Sequence, residues 1–424
     1  MKVIVLGAGV LGVATAWRLA CEGHSVTVLD RQPNVAMETS FANGGQISVC
    51  HAEPWAGPET PLKALKWLGQ EDAPLLFRPR LDLDQWVWGA RFLLECRQSR
   101  WEANAKSLVS LGLLSRRTLK NWRAELGLRY DDAENGILRI FWKGEERDWA
   151  GAQLHARSMR KFGAEIEELT PEQAVEKEPA LAPWGSRLLA GAWTSHDETG
   201  DARLFSLALA KQSQAQGVEF LFNWRFLGWE KDNLKVSAAR AADETGKEHA
   251  LRADAFVVAL GPHAKFALSP LGVPCPIYPA KGYSASIQVL DSDRAPKGSV
   301  TDETRKMVFT RLGDRLRVAG TAEFNGFDTS LNWARCHALT KRAKELFPGS
   351  CDWTEVSYWT GLRPSTPSNV PLIGRAGSWS NVWLNCGHGT LGWTHACGSA
   401  ESLTALMSGR PAPIDFPFLG APRR

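Results

Sequence analysis

The sequence lacks the features that would place it in several specialised classes of protein. Its 50 basic and 46 acidic side chains nearly cancel, and no block of five like charges predicts a nucleic-acid partner. Its eight cysteines contain no CxxC pair and no zinc spacing, so we expect reduced thiols of an intracellular protein and no metal site. No stretch offers about 18 uninterrupted apolar residues, which argues against a spanning helix.

The length of the chain and its changes of pattern indicate two domains. At 424 residues it exceeds one ordinary domain. A helical pattern dominates residues 60–130, and alternating strands follow between Pro274 and Ser357. No internal repeat, low-complexity tract or flexible linker separates these regions. We therefore expect a chain that crosses between its domains several times.

The N-terminus, "MKVIVLGAGVLGVATAWRLA", has two interpretations. One basic residue before an apolar run is compatible with a signal peptide. Three glycines interrupt the run, however, and a second strand-like segment, Val26–Leu29, follows it and ends in Asp30. This order favours a β-α-β unit with a helix from Val10 to Glu22.

The glycines of "GAGVLG" fit a dinucleotide-binding turn. Gly7 allows the tight turn, Gly9 lets a pyrophosphate approach the backbone, and Gly12 lets helix and strand pack closely. The N–H groups at the start of the helix, including those of Val10 and Leu11, would face the diphosphate. Asp30 is placed to accept hydrogen bonds from an adenosine ribose, and its charge argues against a 2'-phosphate beside Arg31.

The next segment distinguishes a long cofactor from NAD. An NAD-binding domain would continue with regular β-α alternation, whereas this chain enters the loop "METSFANGGQIS". Small and amide residues there would let the backbone lie along an extended ligand: Ser40, Asn43, Gly44, Gly45 and Gln46. The Gly-Pro turn at Gly261, after the strand "AFVVAL", is a further expected contact with the cofactor.

A second glycine-rich segment, "NCGHGTLGWTHACGSAES", begins at Asn385. We predict a helix from about Thr390 to Met407, whose N-terminus would face the other end of the cofactor. Free N–H groups are expected at Gly389, Thr390, Leu391 and Gly392, where they would stabilise negative charge on a reduced flavin.

These segments, with "YPAKGYS", "HDETGDARLF" and "WTGLRPSTP", resemble the FAD-dependent D-amino acid dehydrogenase family from Met1 to about Gly409. The broader relatives are D-amino acid oxidase, glycine oxidase and sarcosine oxidase. The resemblance implies FAD as cofactor and oxidative deamination of D-amino acids to 2-oxo acids and ammonia. Hydride would pass from the substrate Cα to flavin N5, and a quinone or other respiratory acceptor would receive the electrons.

The implied fold is α/β, with a Rossmann-like FAD-binding domain of the glutathione-reductase type. It is interleaved with an α+β substrate domain built on an antiparallel or mixed sheet. We assign residues 1–56, 200–268 and 362–424 to the FAD-binding domain. Residues 57–199 and 269–361 are assigned to the substrate domain.

Arg363, in "GLRPSTP", is the expected anchor for the substrate carboxylate. Its planar fork can bind a carboxylate with two hydrogen bonds. The alternative from the residues alone is a structural salt bridge, and the family resemblance reverses that preference. Tyr278 and Tyr283 could assist substrate binding, although packing is an equal alternative for each. No catalytic base is required if the amine is neutral when bound.

The loop "SVCHAEPW" departs from the family pattern at Cys50, His51 and Glu53, so the polarity of the pocket and the substrate range stay open. Arg305 is a further departure. If it faces the cavity it would favour a substrate with an acidic side chain, and if it faces solvent it has no such meaning.

Two other functions remain open. One is an oxygen-using oxidase on the same scaffold, acting on glycine, sarcosine or a D-imino acid such as D-proline. The other is an electron-transfer subunit without its own substrate site, which an intact Arg363 argues against. Apolar and basic residues in "PLKALKWLG" and "DQWVWGARFLLECR", together with the resemblance, favour peripheral attachment to the cytoplasmic face of the inner membrane. A partner subunit or homo-oligomer is also open.

Overall fold

The computed structural model describes residues 1–67, 70–71 and 73–420, and for 65–67 only their place in a helix. Its strands are β1 (Lys2–Leu6), β2 (Ser25–Leu29), β3 (Gln46–Ile47), β4 (Leu75–Phe77), β5 (Ile137–Trp142), β6 (Glu167–Leu169), β7 (Leu188–Thr194), β8 (Glu198–Thr199), β9 (Glu219–Leu221), β10 (Arg225–Asp232), β11 (Lys235–Ala242), β12 (Glu248–Arg252), β13 (Ala255–Val258), β14 (Tyr278–Val289), β15 (Ser299–Asp302), β16 (Met307–Leu312), β17 (Arg315–Phe324), β18 (Cys351–Ser365), β19 (Leu372–Arg375) and β20 (Val382–Cys386).

The helices of the described chain are α1 (Val10–Cys21), α2 (Thr60–Trp67), α3 (Leu83–Glu95), α4 (Gln98–Leu126), α5 (Glu146–Lys161), α6 (Pro171–Lys177), α7 (Ala202–Ala215), α8 (Ala264–Leu268), α9 (Trp333–Leu346) and α10 (Gly392–Met407). Short 3₁₀ segments occupy Pro179–Arg187, Gly261–His263 and Ser269–Leu271.

The first sheet is the parallel sheet predicted from the N-terminal unit. Its order is β19-β20-β13-β1-β2-β9, with β19 antiparallel to its neighbour and the other pairs parallel. Successive residues of β1 point to opposite faces. Val3 and Val5 pack with α1, α4, α7 and α10, whereas Ile4 and Leu6 pack toward the antiparallel meander β10-β11-β12. Because both faces are covered, β1 is a continuous apolar run.

The second sheet is mixed and forms the other half of the molecule. Its order is β18-β14-β17-β16-β15-β5-β7-β6, and β4 adds to β17. β15 and β5 are parallel, as are β17 and β4, and the long β14 to β18 pairing is antiparallel. Helix α9 packs against it through Cys336, Leu339 and Ala343. The predicted α/β class, with a parallel sheet and a second mixed sheet, is confirmed.

The predicted domain limits do not separate the two halves cleanly. Helix α4, assigned to the substrate domain at 57–199, contributes Leu111, Leu119 and Trp122 to the core beside the parallel sheet. A β-carbon on Gly398 of α10 would lie 2.8 Å from the Ser115 nitrogen, so these helices touch through backbone. The predicted limit at 361/362 falls inside the continuous strand β18. The division into domains therefore stays a prediction.

Gly12→Ala tests the close contact between α1 and the preceding turn. An added β-carbon would lie 1.8 Å from the Gly7 carbonyl oxygen, so the helix and turn must separate. We expect a loss of about 1–3 kcal/mol in the free energy of unfolding. The control is Gly151→Ala in α5, where a β-carbon would meet nothing within 4 Å. Helix propensity predicts that the free energy of unfolding of this control rises by about 0.5–1 kcal/mol. Thermal unfolding distinguishes the two, and equal melting temperatures of the two variants would contradict a close-packing role for Gly12.

Candidate functional site

A cavity of about 1470 Å³ lies between the two sheets. The turn after β1, the end of β2 and the start of α10 line one side. Strands β14, β16, β17 and β18 line the other. Pockets for one small ligand usually enclose about 300–1,000 Å³. This space can therefore hold an extended cofactor together with a substrate.

The glycines of the first turn divide between packing and ligand access. Gly7 has a φ of +103°, and a β-carbon there would lie 2.5 Å from the Ala259 carbonyl oxygen. Gly9 differs, because a β-carbon would meet Ser40 Oγ at an ordinary 3.6 Å. The protein itself thus has room for a side chain at Gly9, which lines the cavity. That open approach to the backbone suits the diphosphate of FAD. Val10 and Leu11 also line the cavity, and Gly12 serves packing.

Asp30 lines the cavity where β2 ends, as the sequence predicts. Its two carboxylate oxygens accept the N–H groups of Ala8 at 2.6 Å and Gln32 at 2.8 Å. Burial raises the pKa of Asp30, and these two hydrogen bonds oppose that effect. The carboxylate therefore shapes the glycine turn. Each oxygen has a second lone pair, so the predicted ribose contact stays compatible with this geometry.

Arg31 lines the cavity in an ion pair with Glu38, at 2.6 Å, and its guanidinium also contacts His263. Gly261 lines the cavity with a φ of +53° and open space at the position of a β-carbon. The turn at Gly261 is therefore placed as the sequence predicts, and its contact with the cofactor stays a prediction.

The loop from Ser40 to Gln46 connects the two sides of the cavity. Ser40 Oγ accepts the Val10 N–H at 3.2 Å, which ties the loop to the start of α1. The Asn43 carbonyl accepts from Arg317 at 2.9 Å, and the Gln46 side chain donates to Ser299 and Thr301 of the second sheet. Gly44 and Gly45 complete the loop, and all five predicted residues line the cavity.

The second glycine segment needs a correction. Gly389, Thr390, Leu391 and Gly392 all line the cavity, and α10 begins at Gly392 rather than Thr390. However, the Gly389 N–H donates to the Pro364 carbonyl at 2.9 Å, and the Leu391 N–H donates to the His388 carbonyl at 2.9 Å. The prediction of four free N–H groups is wrong, because the turn uses two of them to close on itself and on β18.

Arg363 enters the cavity from β18 across Gly282 of β14. A β-carbon on Gly282 would lie 2.4 Å from the guanidinium, so the glycine makes room for it. Nη1 donates to the Thr321 carbonyl at 2.9 Å. Across the described ranges, no carboxylate forms an ion pair with this side chain. Burial lowers the pKa of Arg363, and the charge of Arg335 lowers it further, to about 10. Arg363 therefore stays protonated at neutral pH and can bind an anionic ligand.

The two tyrosines are engaged by protein groups. Tyr278 does not line the cavity; its hydroxyl donates to Asp82 at 2.9 Å, and its ring packs with Trp88 and Phe324. This position of Tyr278 fits the alternative that its ring serves packing. Tyr283 lies at the cavity wall, but its buried hydroxyl donates to Glu323. Burial and this bond raise the pKa of Tyr283. Neither hydroxyl is free to serve as a general acid or base.

The residues that depart from the family pattern fall into two groups, those that line the cavity and those that do not. Cys50 is buried away from the cavity, and Arg305 is exposed and does not line it. The idea that Arg305 selects an acidic side chain is therefore wrong. His51 and Glu53 do line the cavity.

Sequence reasoning missed a group of ionisable residues beside Glu53. Arg139, His155, Glu303 and Lys306 line the same end of the cavity. They come from three separate parts of the chain, so no local spacing in the sequence indicates them. Arg139 donates to Glu303 at 2.6 Å and to Glu53 at 3.3 Å.

Comparisons with known proteins show the family of this chain. A model of the DAO family, described as FAD dependent oxidoreductase, matches residues 2–406. A D-amino acid dehydrogenase of Dechloromonas aromatica is 50% identical over 99% of this chain and 100% of that protein. A D-amino acid dehydrogenase of Paramagnetospirillum magneticum is 46% identical over 100% of this chain and 99% of that protein.

Solved structures with little sequence identity share the fold. L-proline dehydrogenase from P. horikoshii has a TM-score of 0.74 at 17% identity, covering 98% of this chain and 95% of that chain. Glycine oxidase from Geobacillus kaustophilus has a TM-score of 0.74 at 20% identity, covering 98% and 96%. The family resemblance predicted from the sequence motifs is thereby confirmed. With a match over nearly all of its length, the chain belongs to the DAO family of FAD-dependent oxidoreductases.

Proposed function

We propose that the protein oxidises D-amino acids to 2-oxo acids and ammonia. The observation that carries this proposal is Arg363, a cavity-facing guanidinium with no acidic partner in the described part of the chain. A charge in such a position needs a compensating anion, and an amino-acid carboxylate matches its fork. The names of the relatives, D-amino acid dehydrogenase, support the same substrate class.

The N–H groups of Arg363 divide between a contact with the protein and a proposed contact with the substrate. Nη1 is held by the Thr321 carbonyl, so the remaining N–H groups are available to a carboxylate. Fixing the carboxylate orients Cα toward the wall formed by Gly44 and the start of α10. When bound there, FAD supplies the acceptor for the Cα hydride.

No side chain needs to remove a proton once the amine is neutral. His388 is the imidazole near the start of α10, and its Nε2 contacts Ser399 Oγ at 2.8 Å. Burial, with the nearby His395, lowers the pKa of His388 well below its usual range. It therefore stays neutral, and Ser399 engages one of its ring nitrogens. Hydrolysis of the imine product requires no enzyme residue.

Arg363→Ala should abolish anaerobic bleaching of the flavin by D-amino acids while FAD stays bound. Loss of a charge-assisted, two-point contact predicts a fall in kcat/KM of about 100-fold or more. Arg305→Ala is the matched control, because this arginine is exposed and outside the cavity lining. The control should bleach like the wild type. If Arg363→Ala instead released the flavin, the residue would belong to cofactor binding. If only L-amino acids or secondary amines bleached the wild type, the substrate class would be wrong.

We further propose that a quinone or other respiratory acceptor receives the electrons. The relatives' designation as dehydrogenases supports this acceptor, and an oxygen-using oxidase on glycine, sarcosine or D-proline is the alternative. With one D-amino acid as substrate, the enzyme should reduce a quinone analogue far faster than it forms hydrogen peroxide. Both products can be followed in the same reaction mixture. Stoichiometric peroxide at full turnover would exclude the dehydrogenase proposal.

Peripheral attachment to a membrane is proposed from the outer face of α3. Exposed apolar side chains there include Leu83, Trp86, Val87 and Leu94, with the exposed Arg91 among them. Amphipathic helices of this kind bind at a bilayer surface. Trp86 also lines the cavity, so this face adjoins a route by which a lipid-soluble acceptor could approach.

No helix among the described residues is long and apolar enough to cross a bilayer. In the other predicted segment, "PLKALKWLG", Leu68 and Gly69 and the side chains of 65–67 lie outside the described residues.

Replacing Leu83 and Leu94 by serine should release the protein from vesicles rich in anionic phospholipid. Sedimentation with the vesicles measures the bound fraction. The control is Leu154→Ser on α5, whose side chain is comparably exposed, at 62%, on another helix. Equal binding of the double variant and the control would contradict attachment through α3.

A further inference from the structure

A group of charged and ionisable side chains, of which Arg139 and Glu303 are buried, lines the cavity end formed by β5 and by the turn from β15 to β16. Its members, here called the acid-base cluster, are His51, Glu53, Arg139, His155, Glu303 and Lys306. His155 Nδ1 lies 3.1 Å from Glu53, and Lys306 pairs with Glu303. Arg139 bridges the two acids. Taking charges out of water is costly, so a cluster at the cavity wall calls for an explanation beyond stability.

The two acids of the cluster are ionised. Burial would raise the pKa of Glu53, but the charge of Arg139 and the hydrogen bond with His155 outweigh it and lower the pKa to about 2. Burial would also raise the pKa of Glu303, but the charges of Arg139 and Lys306 outweigh it and hold this pKa well below its usual range. Burial and the charge of Arg139 lower the pKa of His51 to about 4, so this imidazole is neutral.

Carboxylates outnumber cationic side chains at this end of the cavity. Asp148 and His155 lie on one face of α5, and both line the cavity, so the cluster continues to the pairs made by Lys63 with Asp148 and Glu59. Four carboxylates line this end, Glu53, Glu59, Asp148 and Glu303, against three cationic side chains, Lys63, Arg139 and Lys306. With histidine taken as neutral, the excess is one negative charge.

The sheet register sets the distance from this negative end to Arg363. Thr321, which holds Arg363, follows Gly320, and Gly320 pairs with Met307 of the next strand. Met307 pairs with Asp302, the residue before Glu303. Two strand spacings amount to roughly 10 Å. A carboxylate at Arg363 and a cation on a four-carbon stem can therefore occupy the two ends together.

We propose that Glu53 and Glu303 form a side-chain subsite that selects D-amino acids with a cationic side chain, such as D-lysine and D-arginine. This inference rests on the proposed function and names its preferred substrates. Lys306 is the counter-charge that the substrate displaces from Glu303. Its side chain is 52% exposed and can turn into solvent, whereas that of Arg139 is 7% exposed and is held by both acids.

The test compares D-lysine with D-norleucine, which has the same carbon chain without the ammonium group. The measured quantity is the ratio of their kcat/KM values with an artificial acceptor. The wild type should prefer D-lysine at least tenfold. Glu53→Gln should lower the ratio about tenfold, the value of one charge-assisted hydrogen bond. Lys306→Gln should raise the ratio, because it frees Glu303.

The two variants must move the ratio in opposite directions. Glu167→Gln, at an exposed position of β6, is the control and should leave the ratio unchanged. If Glu53→Gln melts early, the exposed Lys306 still decides the question. A ratio that neither variant moves, or that moves with the signs reversed, overturns the subsite. A wild type whose flavin no D-amino acid bleaches overturns the proposed function instead.

Discussion

The guanidinium of Arg363 lies against the bare backbone of Gly282 and is held by the carbonyl of Thr321. A protonated side chain in this position, with no acid paired to it in the described residues, has a desolvation cost that an anionic ligand would offset. The surrounding strands accommodate this one group. Thr321 has a φ of +59°, which is strained for a β-branched residue, and the β14 to β17 register shifts beside it. Strand distortions of this kind re-aim groups next to functional sites.

Near Arg363, a buried polar network connects the strands of the second sheet to α9. Arg335, fully buried in α9, donates to the carbonyls of Glu71 and Ala322. Glu323 accepts from Tyr283 and Arg78 and lies 3.5 Å from the Lys281 ammonium. Glu323 is on β17 with Thr321, and Tyr283 and Lys281 are on β14, the strand that pairs with β18, so this network lies next to the proposed substrate anchor. Tyr283 is therefore part of this network.

On the other side of the cavity, the glycine turns form the wall at which the cofactor is proposed to bind. Gly7 and Gly12 are needed by the protein's own packing, whereas Gly9 has space that a ligand can use. The loop from Ser40 to Gln46 bonds to the start of α1 and to the second sheet, so it connects the two walls of the cavity. The two sides of the cavity are thus linked by hydrogen bonds from one short segment.

The sequence by itself determined the β-α-β unit and the positions of the glycine turns, because each depends on local spacing. The family resemblance added the mixed second sheet and singled out Arg363, whose role stays a proposal. The sequence did not determine which way side chains face. Arg305 and Glu303 are two residues apart, yet one is exposed and the other is buried in the acid-base cluster. Nor could it show that the Gly389 and Leu391 N–H groups are already bonded. The cluster joins residues from 51 to 306 through strand pairing and helix packing. Only the tertiary structure decides such contacts, because long-range pairing leaves no periodic signal in the chain.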